Sequence, residues 1–169
     1  MSKGGKLVIL FLVFLFLVGG GYLYLGGWKK TEFELIPCQP ILLAGLEFRG
    51  TPGDERLGKV FQQVESFRFE SPLHTIYFVE PSGKRDTLHV FVGIEVREGV
   101  PEEWIQKRVD CKEAVKASLK MHQWVMPSPE NTKQLMSDFA SSKGRSLDGI
   151  FIDKIIDRDW VEVWAPLKD

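Results

Sequence analysis

The chain has 169 residues, with 22 Lys and Arg against 23 Asp and Glu, a formal net charge of −1. Charge this balanced, with its basic residues scattered, argues against a nucleic-acid-binding surface, which needs a basic stripe or patch. Two cysteines, Cys38 and Cys111, are too few for a disulfide framework and lack metal-ligand spacing. The expectation is two free buried thiols, with a single bridge as the alternative.

The first element is the uncharged, mostly apolar run from Leu7 to Leu25. About 20 such residues cross a bilayer as a helix. Tyr22, Tyr24 and Trp28 fall where interfacial aromatics belong, and Lys29 and Lys30 close the segment. Residues 1–28 therefore read as a single-pass membrane anchor. A cleaved signal peptide opened by Lys3 and Lys6 is the alternative, but the run is long for one and no A-x-A-like site succeeds it. Positive charge is nearly equal on the two flanks. A slight bias toward an inside amino terminus would place residues 29–169 outside the cytosol, with the opposite orientation as the alternative.

Residues 29–169 suffice for one domain with a real core. Thr31 to Pro37 leads out as an extended segment, and Ile41 to Arg49 alternates as a strand. Thr51-Pro52-Gly53-Asp54 is a turn in which Asp54 or Thr51 caps a helix from Glu55 to Phe67, where Leu57, Val60, Phe61 and Val64 keep helical spacing. Thr75 to Val79 is a strand and Pro81-Ser82-Gly83 a turn. Leu88 to Val96, LHVFVGIEV, alternates without a break: Leu88, Val90, Val92, Ile94 and Val96 point one way, and His89, Phe91, Gly93 and Glu95 the other. Gly99-Val100-Pro101 reads as a linker.

The order then repeats. Ala114 to Met121 alternates, Ser128 and Pro129 open a helix from about Pro129 to Ser142, and Gly144 stops it. Gly149 to Lys154 and Trp160 to Pro166 are the last strands. Cys38 matches Cys111, Tyr77 matches Phe151 and Gly93 matches Trp164, at near-constant offsets of 73, 74 and 71 residues. The expected fold is α+β. Two strand-helix-strand-strand repeats, about 33–97 and 108–169, form one mainly antiparallel sheet with helices on one face, preceded by a single transmembrane helix.

The run TIYFVEPSGKRDTLHVFVGIEV, Thr75 to Val96, and the closing DWVEVWAPL, Asp159 to Leu167, resemble the GyrI-like (gyrase-inhibitor-like) small-molecule-binding domain. The resemblance covers about Phe33 to Asp169. It implies two such units joined in one sheet, helices on one face, and a cleft on the other face at the pseudo-two-fold axis. Family members include effector domains of multidrug-sensing regulators and hydrolases of cyclopropane-bearing toxins. The resemblance also implies an acidic cleft centre on the strands carrying Asp153 and Glu162. Family members usually show glutamate followed by tyrosine on the first of these strands, whereas this chain has Phe151-Ile152-Asp153-Lys154.

Strand parity assigns the two faces independently. Ile76, Phe78, Val90, Val92, Ile150, Ile152, Val161 and Val163 form an aliphatic layer that the two amphipathic helices require. Tyr77, His89, Phe91, Phe151, Asp153, Trp160, Glu162 and Trp164 then share the open face, with Trp124 placed to cap it. Ring faces attract cations and a partly desolvated carboxylate pairs with them. The expected ligand is accordingly a hydrophobic or cationic aromatic molecule. Two alternatives stand beside it: a hydrolase with Glu162 or Asp153 as general base, and a membrane-tethered adaptor for a protein partner. No nucleophile-His-acid order, phosphate loop or metal cluster is visible, so no cofactor and no metal are expected. Blander roles compete residue by residue: Trp160 and Trp164 as a cover for the sheet, Asp153 in a surface ion pair, and His89 as a surface histidine.

Overall fold

The computed structural model describes residues 3–79 and 86–168, and the Pro81-Ser82-Gly83 turn lies outside them. Helix α1 (Lys3–Tyr24) is followed by β1 (Glu32–Pro37), β2 (Ile41–Gly50), α2 (Glu55–Phe67), β3 (Leu73–Val79) and β4 (Leu88–Glu95). Then come β5 (Ile105–Val109), β6 (Glu113–Leu119), α3 (Pro129–Ser142), β7 (Ile152–Asp157) and β8 (Trp160–Pro166). Strand-helix-strand-strand thus occurs twice, as β2-α2-β3-β4 and β6-α3-β7-β8. The fold class is α+β as expected. Strand β5 falls in a stretch where the residue pattern predicts no element.

Helix starts follow local chemistry. The Asp54 carboxylate accepts a hydrogen bond from the Arg56 amide at 2.9 Å, and the Ser128 hydroxyl accepts one from the Asn131 amide at 3.3 Å, with Pro129 in the first turn. Each satisfies an amide that the helix leaves unpaired. Gly144, at φ +69°, ends the α3 region in a backbone conformation that favours glycine.

The eight strands form one antiparallel sheet in the order β1-β6-β8-β7-β3-β4-β2-β5. This order forces the sheet to curl. Strands β1 and β2 stand six places apart, about 29 Å in a flat sheet, yet Pro37 and Ile41 are joined by three residues that reach at most about 14 Å. The β5-to-β6 connection makes the same demand. Curling brings the two connections together, where the Cys38 amide bonds to the Lys112 carbonyl at 3.0 Å. There Cys38 and Cys111 are joined by a disulfide, with Cα atoms 5.5 Å apart. The expectation of free thiols is corrected: topology, invisible to residue spacing, puts the two cysteines side by side.

A glycine pair permits tight curvature. Gly45 on β2 faces Gly93 on β4. A Cβ at Gly45 would collide with the Val92 carbonyl oxygen, and one at Gly93 would lie 2.7 Å from both the Ala44 carbonyl oxygen and the Phe91 ring.

Two apolar clusters lie on the helix-covered face. Val64 of α2 packs with Ala44, Phe48, Leu73, Val90, Val92 and Ile94, and Met136 and Ala140 of α3 pack with Val115, Ala117, Val163 and Ala165. A third cluster, Leu43, Ile76, Phe91, Val109 and Ile152 with Trp164 against it, draws side chains from β2, β3, β4, β5, β7 and β8 onto the opposite face. Residues so spread across a sheet meet only inside its curl, so this face is concave and partly filled.

Candidate functional site

Cross-strand partners share a face. The concave face carries Glu47, Phe91, Gly93 and Glu95, as parity predicts for β2 and β4, and Glu162 and Trp164 from β8. The two central strands are reversed. Ile76 pairs with Phe91 and Ile152 pairs with Trp164, so both isoleucines face the concavity. Tyr77 pairs with Val90, and Asp153 pairs with Thr75 and Val163, so these lie on the helix side. Phe151 packs there as well, beneath the Lys133 ammonium at 4.8 Å. The assignment of Tyr77, Phe151, Asp153, Ile76, Phe78 and Ile152 by aliphatic character is therefore corrected for β3 and β7, while Ile150 lies exposed ahead of β7. At the centre of the sheet both faces are buried, and apolarity no longer tells one from the other.

Glu162 and Asp153 consequently sit on opposite faces and cannot act together on one substrate. Asp153 borders a small cavity of about 110 Å³ with Met126, Pro129 and Lys133. Burial pushes its carboxyl up to about 6, against the opposing pull of Lys133 and a hydrogen bond from Thr75. Glu162 is 9% exposed, accepts a bond from the Trp164 indole at 3.1 Å, and lies 3.9 Å from the Lys116 ammonium.

The remaining predicted residues are dispersed. Phe91 is fully buried in the concave floor. His89 lies at the far end of the same face, 3.2 Å from Glu47 and against the Phe78 ring at 4.7 Å. Trp160 lies under the Lys120 ammonium at 4.6 Å, and Trp124 is 79% exposed beside His122. Neither tryptophan borders the concavity's mouth.

That mouth opens where the sheet edges meet. A cavity of about 530 Å³ is bordered by Cys38, Pro40, Leu42, Glu95, Lys154 and Trp164. The Lys154 ammonium stands 5.0 Å from the centre of the Trp164 ring and 3.8 Å from the Glu95 carboxylate. Beneath them lies His74, 1% exposed and 3.7 Å from Glu95, with neither ring nitrogen in a well-formed hydrogen bond among the described residues. Burial, then the Lys154 charge, pulls its pKa down to about 4. Sequence reasoning does not single out Glu95, Lys154 or His74. Glu95 is legible in the alternating set of LHVFVGIEV, whereas Lys154 and His74 enter only through the reversed parity of β7 and β3.

No family model matches the chain, and no curated protein matches it. Solved structures do. It is similar to a hydrolase from Listeria innocua (13% identity, TM-score 0.56, over 83% of this chain and 92% of that one). It is similar to the EcmrR C-terminal domain (13% identity, TM-score 0.59, over 83% and 99%) and to an integron cassette protein of Vibrio cholerae (11% identity, TM-score 0.52, over 83% and 100%). Likeness at such identities establishes the fold alone. The architecture is consistent with the GyrI-like fold.

Proposed function

We propose that this chain is a membrane-anchored GyrI-like protein that binds a cationic aromatic small molecule in the cavity at the mouth of the curled sheet. The observation that carries this is the placement of Lys154. Its ammonium occupies the point where a ligand cation would sit, over the Trp164 ring and beside the Glu95 carboxylate. The side chain stands in for the ligand, which must displace it. In this reading residues 29–169 form the binding domain and its two halves act as repeats. The 18-residue window Leu7–Tyr24, of mean hydropathy 2.5 and with none of it buried, supports the anchor. The Cys38–Cys111 bridge supports placing the domain on the oxidising side of the membrane.

The test is a fluorescence titration of the full chain in detergent with ethidium, rhodamine 6G and a neutral arene. Lys154→Ala removes the internal competitor and is expected to tighten cation binding about fivefold, because a contact of about 1 kcal/mol no longer has to be broken. Trp164→Ala is expected to weaken binding at least as much. Equal affinity for the neutral arene, with no response to either substitution, would overturn the proposal.

A further inference from the structure

A second cavity, of about 520 Å³, lies at the other end of the sheet, where α1 joins the folded part. Tyr24, Leu25, Gly26 and Lys29 border it from the helix side, and Lys120, His122, Asp157, Asp159 and Trp160 from the sheet side. We propose that it is a binding site for the headgroup of a zwitterionic phospholipid, the phosphate held by Lys29, Lys120 and His122 and the ammonium by Asp157 and Asp159. The proposal rests on α1 being a membrane anchor.

Depth is set by the chain itself. The 18 residues Leu7–Tyr24 rise about 27 Å as a helix, close to the roughly 30 Å of a bilayer's hydrocarbon core. Tyr24 therefore ends at the hydrocarbon edge, and the cavity begins at that residue. The linkage is tight. The Leu25 carbonyl accepts a hydrogen bond from the His122 amide at 3.0 Å, and the Lys29 amide bonds back to the Gly26 carbonyl at 2.9 Å. The sheet end is thus fixed at headgroup level. Trp28 and Trp124, 67% and 79% exposed, flank it as interfacial aromatics do.

Charge selects the occupant. Lys29 and Lys120 border the cavity together with Asp157 and Asp159, so it is lined by both signs of charge, and the Lys120 ammonium stands over the Trp160 ring that also lines it, at 4.6 Å. The His122 Nδ1 accepts from the Trp124 amide at 3.2 Å, which leaves the other ring nitrogen for a ligand. Two aspartates would repel a purely anionic headgroup, and a headgroup carrying phosphate and ammonium together satisfies both sets.

The experiment uses the full chain in a non-ionic detergent, titrated with dihexanoyl phosphatidylethanolamine, dihexanoyl phosphatidate and free phosphoethanolamine, with bound molecules counted by native mass spectrometry. One phosphatidylethanolamine is expected, held at least tenfold more tightly than phosphatidate, and more tightly than free phosphoethanolamine because the acyl chains lie along α1. Lys120→Glu is expected to weaken it at least tenfold, and Asp157→Lys to shift the preference toward phosphatidate. Circular dichroism confirms that each variant is folded. Equal binding of phosphatidate, or wild-type behaviour of both variants, overturns the headgroup site and leaves the anchor standing. Amino-terminal sequencing of the membrane-expressed chain separates the two readings: loss of α1 by cleavage overturns both.

Discussion

Replacing Cys38 and Cys111 together with serine is expected to lower the unfolding free energy of the sheet and its helices by about 4 kcal/mol. The bridge closes a loop of 73 residues, and the chain-entropy relation gives about 4 kcal/mol for a loop of that length. Its position adds a native-state consequence. The bond fastens the β1–β2 connection to the β5–β6 connection, the two places where the sheet must turn back on itself, and Cys38 also borders the proposed binding cavity. Loosening that rim should therefore weaken ligand binding as well as stability. Denaturant unfolding of the full chain in detergent, followed by tryptophan fluorescence, measures the first effect. The serine variant and the reduced wild type should agree. A loss below about 1 kcal/mol in both would mean that the three apolar clusters hold the curl without the bridge.

Much of this architecture is legible in the sequence because local rules dominate there. Helices Glu55–Phe67 and Pro129–Ser142 fall where spacing and capping place them. Leu88–Glu95 follows its alternation because one of its faces packs under α2 while the other carries His89, Gly93 and Glu95. The failures are global. Ile76 and Ile152 look like helix-side residues, but they meet Phe91 and Leu43 inside the curl, where a second buried layer exists only because the sheet bends. The bend comes from the three-residue connections and the Gly45–Gly93 pair, which no periodicity reports. Strand β5, IQKRV, escapes detection because four of its five residues stay at least partly exposed on a sheet edge, so it carries no burial pattern. The site shares that weakness. Trp164 and Glu162 are visible as an aromatic-acid pair, whereas their neighbours Lys154 and His74 depend on the register of β3 against β7.

That same register places two buried titratable groups on neighbouring strands but on opposite faces, with opposite effects on stability. His74 ordinarily titrates near 6.5 and is pulled to about 4 by burial and Lys154. Between those values the unfolded chain binds the extra proton, so His74 makes stability rise with pH, by about 3 kcal/mol over the window. Asp153 ordinarily titrates near 3.8 and is pushed to about 6 by burial. Here the folded state binds the extra proton, so Asp153 makes stability fall as pH rises from about 4 to 6, again by about 3 kcal/mol. The two nearly cancel in the wild type, so its slope between pH 4 and 6 comes from its other groups. Single substitutions should uncover opposite slopes. His74→Leu, which replaces a buried imidazole by an apolar side chain, leaves Asp153 in control and should lose stability as pH rises through that range. Asp153→Asn leaves His74 in control and should gain stability over the same range. Glu47, lowered chiefly by its bond from Lys107, adds a rising contribution common to all three chains and drops out of the comparison. Unfolding curves at half-unit pH steps test this, and two variants that both track the wild type would show that neither group is held away from its ordinary titration.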